Sequence, residues 1–168
     1  MTRPPTRAEQ RWFVDRKSSL TAPGPHDGFA LLAVHTRAIE MIAVKDYGPD
    51  IARSWAHGLT PDGYARSMAD GEIFEVAVLD GAIIGFCGIK LGEICGLYVD
   101  PDHMRRGVAT QLLSHALAWM DTQGCERVKI EASLTALPLY LRHGFRNVAT
   151  KLKGTRGGLD MLAVDMER

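Results

Sequence analysis

Two periods divide the chain. Over "EIFEVAVLDGAIIGFCGIKLGEICGLYV" (residues 72–99) apolar residues come in short runs, many of them β-branched or aromatic, which predicts three strands at about 73–79, 82–90 and 93–99. Asp80-Gly81 between the first two is a two-residue hairpin turn of the favoured type, and Leu91-Gly92 is read as the second turn. The period then lengthens. In "GVATQLLSHALAWMDTQG" (107–124) Val108, Leu112, Ala116 and Met120 recur every fourth residue beside Leu113 and Leu117, and Gly124 supplies a stop: a helix. "ERVKIEAS" (126–133) predicts a strand, "LTALPLYLRHG" (134–144) a helix, and "FRNVATKL" and "LDMLAVDM" a closing hairpin around "KGTRGG" (153–158).

The first third is less regular. "RWFVDRKSSL" (11–20) is assigned a short first strand. A helix is expected from about Pro25, with Phe29, Leu32, Ala33, His35, Thr36, Ile39 and Ile42 at helical spacing. "KDYGPDIARSWAHGL" (45–59) is expected to be irregular, because Gly48, Pro49 and Gly58 interrupt it. "TPDGYARSMADG" (60–71) begins with Thr, Pro and Asp, a short-helix signature. Antiparallel strands, a strand–helix–strand crossover and a final hairpin predict a layered α/β fold with a mixed, mostly antiparallel sheet flanked by helices. No repeat or second core is visible. The whole of 1–168 is read as one domain, with 1–11 a mobile arm.

Composition narrows the function classes. Twenty basic and twenty acidic residues balance to zero net charge, which argues against a nucleic-acid partner. No apolar run is long enough for a membrane span, and the polar, Pro-rich start lacks the apolar centre of a signal peptide. The three cysteines, Cys87, Cys95 and Cys125, show no CxxC spacing; free thiols in a reducing cytoplasm are expected rather than disulfides or a metal site. The histidines have no ligand spacing, so no metal is expected.

One junction stands out chemically. "VDPDHMRRGVAT" (99–110) places Arg105, Arg106 and Gly107 between a strand and a helix N-terminus. That end of a helix carries unpaired N–H groups and positive dipole, so two arginines there make sense if an anion binds among them. A solvated turn is the bland account, and taken alone the pair supports both equally. No GxxxxGK[ST] and no GxGxxG occurs. Asp100, Asp102 and His103 are read as turn formers.

"EICGLYVDPDHMRRGVATQLL" (93–113) resembles the acetyl-CoA-binding motif of the GNAT N-acetyltransferase superfamily, in which a strand leads through [Q/R]-x-x-G-x-[G/A] into a helix. Arg105, Arg106, Gly107, Val108 and Ala109 match, whereas Met104 stands where Gln or Arg is usual. "SLTALPLYLRHGFRNV" (133–148) resembles the later family motif A-x-x-x-Y-x-x-x-G-F through Ala136, Tyr140, Gly144 and Phe145. The resemblance spans about residues 70–168. It implies acetyl-CoA as co-substrate, a cofactor-binding and catalytic core at 93–145, Arg105 through Thr110 around the pyrophosphate, and backbone of Leu97, Tyr98 and Val99 along the pantetheine arm. An N–H near Leu97 would be the oxyanion donor, and Ser133 would cap the following helix or touch the cofactor.

The same resemblance makes Tyr140 the general acid, since a phenol stays protonated at neutral pH; spacing alone reads it as packing. Glu93 is the candidate base, with a solvated hairpin role as its alternative and Glu131 or a water as substitutes. Period-2 alternation puts Glu93 on one strand face with Cys95, Leu97 and Val99. Cys95 lacks an activating partner, so direct attack is preferred to an acetyl-cysteine intermediate. Trp55 and Tyr64 are candidates for the acceptor pocket, though core packing accounts for them equally. The expected partner is an amine of a small molecule, peptide or protein side chain, with a homodimer left open. A non-catalytic acyl-CoA-binding or regulatory module of the same fold is the alternative.

Overall fold

The computed structural model describes residues 18–168. The expected arm and most of the stretch assigned to the first strand lie outside the described residues; strand β1 is seen as Ser18–Thr21. The first helix, α1 (Gly28–Ala38), runs through a π-helical turn at Ile39–Ala43 into α2 (Val44–Tyr47). Its buried stripe is Leu31, Val34, His35, Ala38 and Ile39, while Phe29 is exposed. The sequence offers two overlapping apolar stripes, and contact with the sheet selects this one.

The segment expected to be irregular is helical. Gly48 has φ 80° and closes α2, and Pro49 then opens α3 (Pro49–Ala56). The Gly-Pro pair separates two helices because glycine suits a helix end and proline a helix start. Helix α4 (Pro61–Ala69) follows as expected, with Thr60 extended at its N-cap.

Strands β2 (Ile73–Leu79), β3 (Ala82–Lys90) and β4 (Glu93–Val99) have the predicted bounds, and Asp80 and Gly81 turn at φ 50° and 82°. After a short 3-10 turn at Pro101–His103 come α5 (Val108–Thr122), β5 (Lys129–Ser133), α6 (Leu137–Arg142), β6 (Arg146–Gly154) and β7 (Asp160–Glu167). All seven described strands form one sheet of order β1-β2-β3-β4-β5-β7-β6. Only β4 and β5 pair in parallel, as the crossover through α5 requires.

Each face of the sheet carries a core. On one, Leu112, Leu113, Ala116 and Met120 of α5 pack with Cys87, Ile89, Ile94, Ile130 and Tyr140. On the other, Leu31 and Val34 of α1 and Tyr64 of α4 cover Phe74, Val76 and Phe86.

Candidate active site

Two irregularities in β4 create the site. Toward β3, Ile89 pairs with Ile94 but Gly88 pairs with Gly96, so Cys95 has no partner and forms a bulge. The bulge reverses the alternation. Leu97 and Val99 therefore join Ile94 in the core under α5, while Tyr98 packs with the core on the opposite face. Glu93 thus does not share a face with Leu97 and Val99 as simple alternation predicts. Toward β5, the ladder contains only Glu93↔Lys129 and Ile94↔Ile130. Beyond that the strands part, and Leu97–Val99 has a free backbone edge on that side, the kind of edge to which an extended chain adds.

A cavity of about 420 Å³ opens along this edge. Arg105, Gly107, Ala109 and Thr110 line one end, Ser133, Ala136, Leu139 and Arg142 face them across the gap, and Ile39 and Ile42 of the π-turn add an apolar wall. Of the residues expected to bind cofactor, Leu97, Tyr98, Val99, Arg105, Gly107, Val108, Ala109, Thr110 and Ser133 all line it; Arg106 is exposed outside. Met104 also lines it, so the departure from the family pattern lies on the cavity wall.

The loop is built as an anion nest. Arg105 (φ 57°) and Gly107 (φ 85°) are both left-handed, which turns successive N–H groups to one side, and α5 has no acid in its first turn to occupy them. For Arg105, a non-glycine, this backbone costs about 1–2 kcal/mol. The preceding turn is braced: Asp102 N donates to Asp100 Oδ1 (2.9 Å), and Arg37 pairs with Asp100 (2.9 Å) and Asp102 (2.8 Å). Burial would raise the Asp100 carboxyl, but the Asp102 N–H and Arg37 together hold it below its usual value. Asp100 and Asp102 are thus turn formers. Ser133 Oγ accepts from Ala136 N (3.3 Å), closing the turn before α6, and still lines the cavity.

Tyr140 is almost wholly enclosed, edge-on to Phe145, and lines neither cavity. Burial, with Cys87 and Tyr98 nearby, raises its phenol well above the ordinary value, so it stays protonated. Glu93 also lies outside both linings, with Lys129 Nζ 3.8 Å away. Glu131 is held by Lys151 (2.8 Å) and Lys153.

A second cavity, about 500 Å³, lies on the α1/α4 face and shares Trp55 and Tyr98 with the first. Its floor is the Gly88–Gly96 pair, whose missing side chains let the Glu72 carboxylate lie over Gly88 and the Tyr98 ring lie against Gly96. Burial raises Glu72 above the usual carboxylate range, with the charge of Glu93 adding to it. Cys95 is pushed to about 11 by burial and by Glu72 and Glu93, the reverse of an activated thiol. Tyr64 lines this cavity and the core at once. Sequence reasoning missed Glu72 and His35; neither carries a local motif. Among the described residues no group of His, Cys, Asp and Glu could hold a metal ion, and no helix is long and apolar enough to cross a membrane.

Residues 43–168 match the family described as acetyltransferase (GNAT) domain. The chain is 30% identical to the uncharacterized N-acetyltransferase YafP of Escherichia coli (strain K12), over 79% of this chain and 84% of that protein. Its fold resembles a GCN5-related N-acetyltransferase structure from Rhodopseudomonas palustris (TM-score 0.83, 22% identity, 89% and 94% of the two chains). It also resembles yncA, a putative acetyltransferase of Salmonella typhimurium solved with its cofactor acetyl-CoA (TM-score 0.68, 17% identity, 90% and 93%).

Proposed function

The chain belongs to the GNAT acetyltransferases, and from that premise we propose that it transfers the acetyl group of acetyl-CoA directly to a primary amine seated in the second cavity. The observation that carries this is the meeting of the two cavities at Trp55 and Tyr98, one bordered by an anion nest and a free strand edge, the other by a carboxylate. The pyrophosphate fits the Arg105–Thr110 loop, and the pantetheine arm fits the Leu97–Val99 edge. A main-chain N–H near Leu97 then faces the thioester carbonyl as oxyanion donor.

The amine arrives protonated and must first lose a proton to a base. Its nitrogen then attacks the thioester carbon, the C–N bond forms and the C–S bond breaks; the departing thiolate takes the proton of Tyr140, and the second proton shed by the new amide nitrogen returns through solvent to the phenolate. Of the two carboxylates that line the acceptor cavity, Asp70 and Glu72, Glu72 lies over the Gly88 floor, so it is the favoured base. Glu93, one strand position from the ladder's end, acts only through an intervening water. Tyr140 stays protonated, which an acid requires before it donates, and the raised thiol of Cys95 speaks against a covalent relay.

Incubating the protein with acetyl-CoA and a panel of primary amines, and following free thiol, tests the reading. Transfer to at least one amine is expected. Tight acetyl-CoA binding without transfer to any would leave a non-catalytic acyl-CoA-binding module.

A further inference from the structure

The second cavity is lined by charge of both signs. Lys153 is held by Glu131, but Arg156, exposed to solvent, makes no ion pair among the described residues; Glu72 makes none either, and its carboxylate is supported by hydrogen bonds from Ser67 and Cys95 and by the charge of Lys90. Tyr98 lines the same cavity, its hydroxyl within electrostatic reach of both Arg156 and Glu72.

Arg156 is placed there by construction. It sits at the tip of the β6–β7 hairpin, and the tip is docked on α3. Gly157 N donates to Ser54 O (2.8 Å), Leu159 N donates to Ser54 Oγ (3.2 Å), and the hydroxyls of Ser54 and Thr155 share a bond of 2.5 Å. From this tip the guanidinium charge acts on His35, Tyr64 and Tyr98.

A separate observation points to a ligand. His35 Nδ1 and the Tyr64 hydroxyl share a hydrogen bond of 3.0 Å, and the imidazole lies 3.9 Å from the Tyr98 ring, centroid to centroid, tilted by 40°. Its Nε2 is buried with no partner among the described residues, although the residue lines the cavity. Burial lowers His35 to about 3, so the ring is neutral and offers one further polar contact without a charge. An unpaired buried nitrogen costs free energy unless a bound molecule satisfies it.

We infer that the acceptor is a small zwitterion: a primary amine directed at Glu72 and, on the same molecule, a carboxylate held by Arg156, with a polar atom on His35 Nε2. This rests on the function proposed above and deepens it. A cavity of about 500 Å³ suits a small molecule. A polyamine or other polycation fits less well, because the lining sets three cations, Arg66, Lys153 and Arg156, against two carboxylates, Asp70 and Glu72.

The test uses ω-amino acids of increasing length and free lysine, each beside its carboxamide, plus spermidine, with acetyl-CoA and the full chain. Acid acceptors should exceed their amides about 10–100-fold in kcat/KM, the range of a charge-assisted contact. Arg156→Gln should bring the acid-to-amide ratio to about 1, chiefly through KM, and Arg156→Lys should restore part of it. Equilibrium binding of the same amines to CoA-loaded protein separates the two levels. Arg156-dependent binding of the acid without transfer would sink the proposed activity and keep this inference. It is overturned if amides or spermidine match the acids, if Arg156→Gln leaves the ratio intact, or if no acid is bound or acetylated.

Discussion

Gly157→Ala and Gly158→Ala make a contrast of adjacent positions that isolates the docking of the hairpin tip. A Cβ on Gly157 would lie 2.5 Å from Ser54 Oγ, 2.8 Å from its Cα and 3.0 Å from its carbonyl oxygen, two of them backbone atoms that cannot swing aside. No left-handed backbone is involved there, so any damage comes from the collision. The tip must lift off α3, losing the bonds of Gly157 N and Leu159 N to Ser54 and the Ser54–Thr155 pair. At about 0.5–1.5 kcal/mol each these amount to roughly 2–4 kcal/mol. For a chain of this size that is a fall in Tm on the order of 5–15 °C. Gly158 is the opposite case: φ is 88° and nothing lies within 4 Å of its Cβ position. Alanine there costs about 1–2 kcal/mol of backbone strain and leaves the tip docked. Thermal melts should rank Gly157→Ala below Gly158→Ala. Acceptor KM should rise at least about tenfold in the first and little in the second, because the lifted tip carries Arg156 away. Acetyl-CoA affinity should hold in both. Equal melting points, or equal acceptor KM, would refute the docking argument.

Tyr140→Phe keeps the ring against Phe145 and removes only the hydroxyl, so kcat should fall about 10²–10⁴-fold with acetyl-CoA affinity retained; unchanged turnover in single-turnover kinetics would return Tyr140 to packing. Gly107→Leu has open space for its side chain within the protein but loses the left-handed nest, so calorimetry should show at least a tenfold loss of acetyl-CoA affinity with the fold retained, and undiminished affinity would remove the pyrophosphate from this loop. Glu72 is raised by burial and acts as a base only when ionised, so the rate should climb with pH through a point above the usual carboxylate range. Glu72→Gln should abolish that limb while Glu93→Gln leaves its position nearly unchanged; the reverse result would make Glu93 the base.

Local pattern alone determined much of this protein. The bounds of β2, β3 and β4, the Asp80-Gly81 turn, helix α5 and the Arg-Gly loop before it all follow from period, propensity and turn chemistry. These are properties of neighbouring residues, so one sequence suffices. The Gly48-Pro49 break was also local, but that it parts two helices depended on α2 and α3 packing on each other and on the π-helical turn after α1. Other features needed the tertiary structure. The bulge at Cys95 is a single extra residue, visible only when β4 is set against β3, and it decides which side chains of β4 face which core. The parting of β4 from β5 is an absence of pairing, which no residue type announces. The floor of the second cavity is likewise tertiary: Gly88 and Gly96 lie eight positions apart in sequence but side by side in the sheet, where they let Glu72 and Tyr98 settle against the backbone. Around that space His35, Glu72 and Arg156 come from a helix, a loop and a hairpin tip spread across the chain. Each is unremarkable in its own segment, and only the closed fold brings the three around one cavity.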